Sequence, residues 1–332
     1  MYPPFDVSVV IPTYNRADWL PQTLGSILDQ TLKPMEVIVV DDGSTDGTQV
    51  LSRSFPPSVK YVQIENSGVC RARNVGAALA AAHWVAYCDS DDLWHPQKLE
   101  AQARLLQAVP GLEYAFTNFS VVTDNVWSRD TKFDDAPPGY WDLPRRQVGP
   151  EAFVVDASLY ERLIAFQPIF PSTMIMSRNF AQRVGPWVDA LGRTLSEDLE
   201  FILRCVDRPP IGVVSAPLVG IRKHAGGFSS QPLRTLKGEI EILRYVLEHH
   251  REASRHERVI RDSIVQRHVA GGELAFLLGD LGQVRDFLDA VPSEARSRSV
   301  RLKGLIAALP PMAAEPFRRV SLSLAALLRR LR

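Results

Sequence analysis

The sequence predicts an α/β fold built on a mainly parallel central sheet, followed by a C-terminal α-helical region. Three observations predict it. Over the first 120 residues short apolar runs alternate with helix-period segments, the runs end in polar and acidic clusters, and strand-like runs cease after about residue 233. Strands that are apolar on both faces need helices on both sides, and strand–helix alternation supplies them.

The elements follow in order. Residues 7–11 read as a buried strand closed by Pro12. Leu20, Leu24, Ile27 and Leu28 then recur at helical spacing, with Asp18 as the expected N-cap and Pro21 tolerated in the first turn. Residues 37–40 are a second apolar strand, ending in Asp41, Asp42 and Gly43; a short helix and a weaker strand at 59–64 follow. The alanine-rich stretch 72–82 predicts a helix, 84–88 a buried strand, Pro96 opens a helix to about residue 109, and 114–119 is the next strand. Residues 123–167 are irregular and too long for a simple connection, so they read as a functional loop or lid, with Trp127 and Trp141 packing it on the core. Residues 174–176 predict a strand, 197–206 a helix, and 211–214 and 218–221 two more strands.

Lysine plus arginine and aspartate plus glutamate each number 38 in 332 residues, so no global field attracts nucleic acid and a charged ligand needs a local cluster. Cys70, Cys88 and Cys205 are scattered and odd in number, which opposes a disulfide framework or a zinc site and suits a reducing cytosol. No apolar run reaches the roughly 18–20 residues of a membrane span, and no signal peptide is evident. A cytoplasmic protein is expected.

Ligands of an open α/β sheet bind beyond the carboxyl ends of its strands. Those ends carry Pro12, Thr13, Tyr14, Asn15 and Arg16, then Asp41 and Asp42, then Asp89, Ser90, Asp91 and Asp92. Carboxylates so clustered repel one another unless a cation lies among them. Oxygen ligands without a histidine or cysteine pair favour Mg²⁺ or Mn²⁺, and an ion held by one or two carboxylates keeps positions that phosphates fill. A nucleotide diphosphate is the ligand this implies. Neither a G-x-x-x-x-G-K-[ST] loop nor a G-x-G-x-x-G turn after the first strand is present, which disfavours a P-loop hydrolase or a dinucleotide dehydrogenase. Asp92 reads equally as an N-cap before Pro96.

Residues 7–16 (VSVVIPTYNR), 39–48 (VVDDGSTDGT), Gly68 with 71–76 (RARNVG), 89–92 (DSDD) and 196–198 (SED) stand in an order and spacing that resemble the family 2 glycosyltransferases over about the first 225 residues. The resemblance implies a GT-A-type nucleotide-sugar fold, with a catalytic domain at 1–230 (donor half about 1–120, acceptor half about 121–230) and a helical extension at 231–332. It implies a donor-binding set of Pro12, Thr13, Tyr14, Arg16, Asp41, Asp42, Arg73, Asn74, Asp89 and Ser90. Within that set Pro12 and Tyr14 line the base, Asp42 meets its edge, and Arg73 and Asn74 lie near base and diphosphate. Asp91, Asp89 and His224 are the implied metal site, and Asp198 the implied general base. The expected reaction is an inverting, Mn²⁺- or Mg²⁺-assisted transfer from a UDP-sugar to a saccharide or lipid-linked acceptor, in bacterial-type cell-surface glycan synthesis. A sugar nucleotidyltransferase and a non-catalytic nucleotide-sugar binder are the rival readings; the first lacks its usual Gly- and Lys-rich loop here. The basic amphipathic stretch 317–332 is expected to dock on its own catalytic domain or on a second subunit, with contact at an anionic membrane as the other reading.

Overall fold

The computed structural model describes residues 5–224 and 231–330, without the side chains of 311 and 324–330. Its contacts divide the chain into two units, Met1–Ser230 and Gln231–Arg332. In the first, β1 (Val7–Thr13), α1 (Leu20–Leu28), β2 (Glu36–Asp41), α2 (Thr48–Leu51), β3 (Val59–Gln63), α3 (Val69–Leu79) and β4 (Trp84–Tyr87) alternate as expected. A two-residue β5 (Leu93–Trp94), α4 (Lys98–Ala108) and β6 (Tyr114–Thr123) follow. β1 is buried along its whole length and lies between β2 and β4, parallel to both, with β3 outside β2. Chain order therefore reverses direction at β1, which opens a crevice at the strands' carboxyl ends.

Small residues set how closely the helices approach. A Cβ on Gly76 of α3 would lie 2.3 Å from Cγ1 of Val10 on β1, so only glycine lets the helix sit this low. α3 also starts earlier than the alanine pattern suggests, because Gly68 turns the chain at φ 94° and packs against the carbonyl of Gly192, 2.8 Å from where a Cβ would stand. Two expected caps fail. Trp19, not Asp18, is the N-cap of α1, and Gln97 rather than Asp92 precedes α4.

The segment expected to be irregular is more ordered than its composition indicates. It contains β7 (Val126–Thr131), β8 (Arg146–Gly149), β9 (Ala152–Val155) and α5 (Tyr160–Ala165). β7 and β8 have largely exposed or half-buried residues, so no buried alternation marks them, and pairing with β6 and β9 makes them strands. Trp141 packs 4.4 Å from Phe133 and 6.1 Å from Phe153, centre to centre. β10 (Met174–Ser177) runs antiparallel between β4 and β6, then α6 (Arg178–Val184) and α7 (Asp198–Val206) lead to β11 (Ile211–Arg222). β11 is one strand rather than two, because Pro217 sits in a register shift that leaves pairing to β6 intact on either side. The main order is β3-β2-β1-β4-β10-β6-β11-β9-β8, with β5 paired to β11 and β7 to β6: β3, β2, β1 and β4 form a parallel run at one side, and antiparallel β10 joins it to the parallel pair β6 and β11.

The second unit consists of α8 (Pro232–His249), α9 (Ala253–Leu278), α10 (Leu281–Asp289), α11 (Arg298–Ala308) and α12 (Pro311–Arg330). Gly271 and Gly272 let α10 close on α9, since Cβ atoms there would lie 2.4 Å from Phe287 and 2.3 Å from Leu288. Arg318 of α12 donates to the carbonyls of Phe276 (3.1 Å) and Leu277 (3.2 Å), capping the last turn of α9. Within 317–323, Arg318 and Leu322 pack in this unit while Phe317, Arg319 and Val320 are exposed; 331–332 lie outside the described residues. No described helix is long and apolar enough to cross a membrane.

Overpacking at the α3–β1 contact has a direct test. Gly76→Val should lower the unfolding free energy by about 2–3 kcal/mol, read as an earlier urea midpoint.

Candidate active site

Parallel strands deliver their carboxyl ends to one edge. β1, β2 and β4 share it, antiparallel β10 brings its beginning there, and β11, parallel to β6, ends there too. Residues 12–16, 41–44, 88–92, 171–173 and 222–224 consequently meet.

At the end of β1, Pro12 and Thr13 are buried in the sheet and Tyr14 is 45% exposed, leaving its ring accessible. Asn15 takes a positive φ of 51°, with its N–H on Ser44 Oγ (2.8 Å) and its Oδ1 accepting from Thr45 N (2.7 Å). That strained residue locks the first loop to the second. Asp41 is fully buried and accepts from Ser44 N (2.8 Å) and the Tyr61 hydroxyl. Asp42 accepts from the backbone N–H of Ser67 (2.7 Å) and Gly68 (2.9 Å), which fixes its direction while each oxygen keeps a further lone pair.

The acidic loop after β4 divides into three environments. Asp89 Oδ1 accepts from Arg73 (2.9 Å), whose other nitrogen donates to Glu197 (2.7 Å). Arg73 is buried, its guanidinium 4.6 Å from the Trp187 ring centre, and the two carboxylates hold its proton more tightly than usual against the opposing effect of burial. Asp92 is buried and accepts from Ser172 Oγ (2.5 Å) and Arg222 N (3.1 Å). Burial, and then the charges of Asp91 and Asp89, push its pKa well up. Asp92 is thus a pin between the turn that precedes β10 and the end of β11, not the solvated helix cap. Asp91 faces Arg16 and His224: its Oδ2 lies 3.3 Å from Arg16 Nε and 3.1 Å from His224 Nε2. Ser90 is buried, and its carbonyl accepts from Thr23 (3.0 Å).

Asp198 begins α7 two residues after Ser196, another non-glycine residue with positive φ (65°). Its Oδ2 accepts from Gln167 Nε2 (3.0 Å). Burial is the first cause, and the neighbouring Glu197 the second, of a pKa raised well above that of an ordinary aspartate.

The structure thus gathers most of the expected residues at one edge, with two corrections. Asn74 does not offer a free amide to a diphosphate: it donates to Trp187 O (2.8 Å) and Asp189 (2.7 Å) and accepts from Trp187 N (2.9 Å), tying α3 to the loop before α7. Asp89 is turned to Arg73, and among the described residues no three His, Cys, Asp or Glu side chains converge as a metal set, so Asp91 and His224 are the pair brought together. The two side chains are hydrogen-bonded, 3.1 Å apart, and a carboxylate with an imidazole is a donor pair that would suit a divalent ion such as Mn²⁺ or Mg²⁺.

Sequence reasoning missed Ser172, Glu197 as a partner of Arg73, and Arg222. The guanidinium of Arg222 is buried over the Trp19 ring (4.5 Å), and none of its three nitrogens has a hydrogen-bond partner among the described residues. Burial lowers its pKa, with Asp91 and Asp92 opposing that shift. Its position two residues before His224, at a strand end, was the available signal.

An open sheet with a reversed chain order places a ligand crevice at its strand ends, and here an acidic loop with Arg16 and Arg222 beside it lines that crevice. Residues 8–157 match the model of glycosyl transferase family 2. The sequence is 36% identical over 135 residues to TuaG of Bacillus subtilis, named for teichuronic acid biosynthesis, covering 40% of this chain and 53% of TuaG. It is 48% identical over 101 residues to a validoxylamine A glucosyltransferase of Streptomyces hygroscopicus, covering 29% of this chain and 24% of that protein. Against two uncharacterized Rickettsia glycosyltransferases it covers 17% of their length, so this chain spans about half or less of these relatives. The crystal structure of S. aureus TarS 1-349 in complex with UDP-GlcNAc shares the fold with a TM-score of 0.60 at 20% identity, covering 97% of this chain and 92% of that one.

Truncating the central arginine leaves two carboxylates without their counter-ion. Arg73→Ala should cost about 3 kcal/mol of unfolding free energy, measured by denaturant titration, with Arg73→Lys intermediate.

Proposed function

We propose that the protein is an inverting glycosyltransferase that moves a sugar from a uridine diphosphate donor to an acceptor hydroxyl, in bacterial cell-surface glycan synthesis. The observation that carries this is the meeting of Asp91 and His224 at the strand-end crevice, 3.1 Å apart, with Arg16 at 3.3 Å, and with Asp198 beside Glu197, which shares Arg73 with Asp89. TarS has been solved with UDP and with UDP-GlcNAc, and TuaG bears a teichuronic acid name, which favours this donor class and this pathway.

Residues 1–120 serve the donor and 121–230 the acceptor in this reading. Tyr14 offers a ring face to the base, and Asp42, held by two backbone N–H groups, presents its remaining lone pairs to the base edge. Asp91 and His224 hold Mn²⁺ or Mg²⁺. When bound, that ion neutralises the leaving diphosphate. Arg16 and Arg222 add positive charge on the same side. Asp198 takes the proton of the acceptor hydroxyl as its oxygen attacks the anomeric carbon. The bond from that carbon to the diphosphate breaks in line, and the diphosphate leaves with the electron pair. A raised pKa makes Asp198 a stronger base than a free carboxylate, and Gln167 aims it.

Isothermal titration with UDP should show binding in Mn²⁺ that EDTA removes and that Asp91→Ala lowers by about tenfold or more. Binding unaffected by EDTA would remove the metal from the proposal. Asp198→Asn should keep UDP binding and lose about 10²–10⁴-fold in transfer rate. Because the base must be ionised and its pKa is raised, kcat should fall with decreasing pH from above the ordinary aspartate value near ~4; a flat profile down to that value would rule Asp198 out.

A further inference from the structure

Charge and exposed apolar surface are both unevenly distributed along the chain. Residues 1–230 carry 20 basic and 26 acidic side chains, and 231–332 carry 18 basic and 12 acidic, so the zero net charge conceals formal charges of −6 and +6. The last 42 residues alone hold nine basic and two acidic residues. Of the thirteen large hydrophobic side chains exposed among the described residues, eight lie between Leu277 and Val320. Scattered exposed hydrophobics need no explanation, but a concentration of them on adjoining helices does.

The arrangement on α11 and α12 is two-sided. On α11, Val300, Ile306 and Ala307 face the core, while Leu302 and Leu305 point out at 49% and 68% exposure. Leu309, in the link between the helices, continues the outer side. On α12 each residue turns about 100°, so Met312, Phe317 and Val320 fall within an arc of about 140°, opposite Ala314 and Arg318. Those three are 94%, 58% and 65% exposed, whereas Ala314 is buried and Arg318 reaches α9. Arg298 and Arg301 lie one turn before Leu302 and Leu305, and Arg319 precedes Val320; all three are exposed.

We propose that this outer face of α11 and α12 docks on an anionic phospholipid bilayer, with Leu305, Met312, Phe317 and Val320 entering the headgroup boundary and Arg298, Arg301 and Arg319 contacting lipid phosphates. The charge decides the occupant. A second copy would bring an equally basic face against this one, whereas anionic headgroups attract it and the apolar side chains gain burial. The docking is peripheral, since no described helix is a candidate span.

Co-sedimentation of the full chain with phosphatidylcholine vesicles, with and without phosphatidylglycerol, tests this. The anionic vesicles should bind at least about tenfold more strongly, and high salt should reverse most of that gain. A triple variant, Met312→Ser with Phe317→Ser and Val320→Ser, should lose about tenfold in partitioning while its circular dichroism and melting point stay unchanged, since the residues replaced are exposed. Arg298→Gln with Arg301→Gln and Arg319→Gln should lose the preference for anionic lipid. Wild-type protein that ignores anionic vesicles, or a triple serine variant that binds like wild type, overturns the proposal. So does sedimentation equilibrium showing a dimer that Phe317→Ser dissolves without vesicle binding, which assigns the face to a second copy.

Discussion

Arg73 is the side chain on which the candidate site depends. It stands on α3, buried, and joins Asp89 at the end of β4 to Glu197 next to Asp198. Two carboxylates from segments more than a hundred residues apart in sequence could not approach a common crevice without such a counter-ion. Burying the guanidinium is costly by itself, and the paired oxygens with the Trp187 ring offset that cost. The height of α3 over β1, set by Gly76, fixes where the guanidinium falls. A sheet contact therefore determines an electrostatic one.

Around that pair, residues of the same chemical type do different work. Asp89, Asp91 and Asp92 are near neighbours in sequence, yet one is an ion-pair partner, one faces His224 and Arg16, and one is a buried tie between the turn before β10 and the end of β11. The turn at Ser90 and Asp91, closed by the Asp92 N–H on the Asp89 carbonyl (3.0 Å), separates their directions. Asp41 and Asp42 divide similarly. Asp41 is enclosed under Tyr61, and Asp42 is aimed by the turn at Gly68.

Much of this was legible in the sequence. The strands of the parallel core and the alanine-rich helix are marked by composition, and the strand-end motifs are marked by their order. What stayed hidden has identifiable causes. β7 and β8 lack an apolar face, so their strand character comes from partners. β11 reads as two strands because Pro217 interrupts the pattern, though a register shift accommodates it. Asn74 belongs to a motif but its amide is engaged by Trp187 and Asp189, which lie more than a hundred residues away.

By itself the sequence determined the α/β class and the acidic strand-end edge, because local apolar patterning and strand-end chemistry are short-range properties. Tertiary structure alone decided which carboxylate meets which cation, that Arg222 lies buried beside them, and which face of the C-terminal helices remains in solvent. Those outcomes depend on elements distant in sequence meeting at one sheet edge or one helix surface, and on how closely glycines allow them to approach.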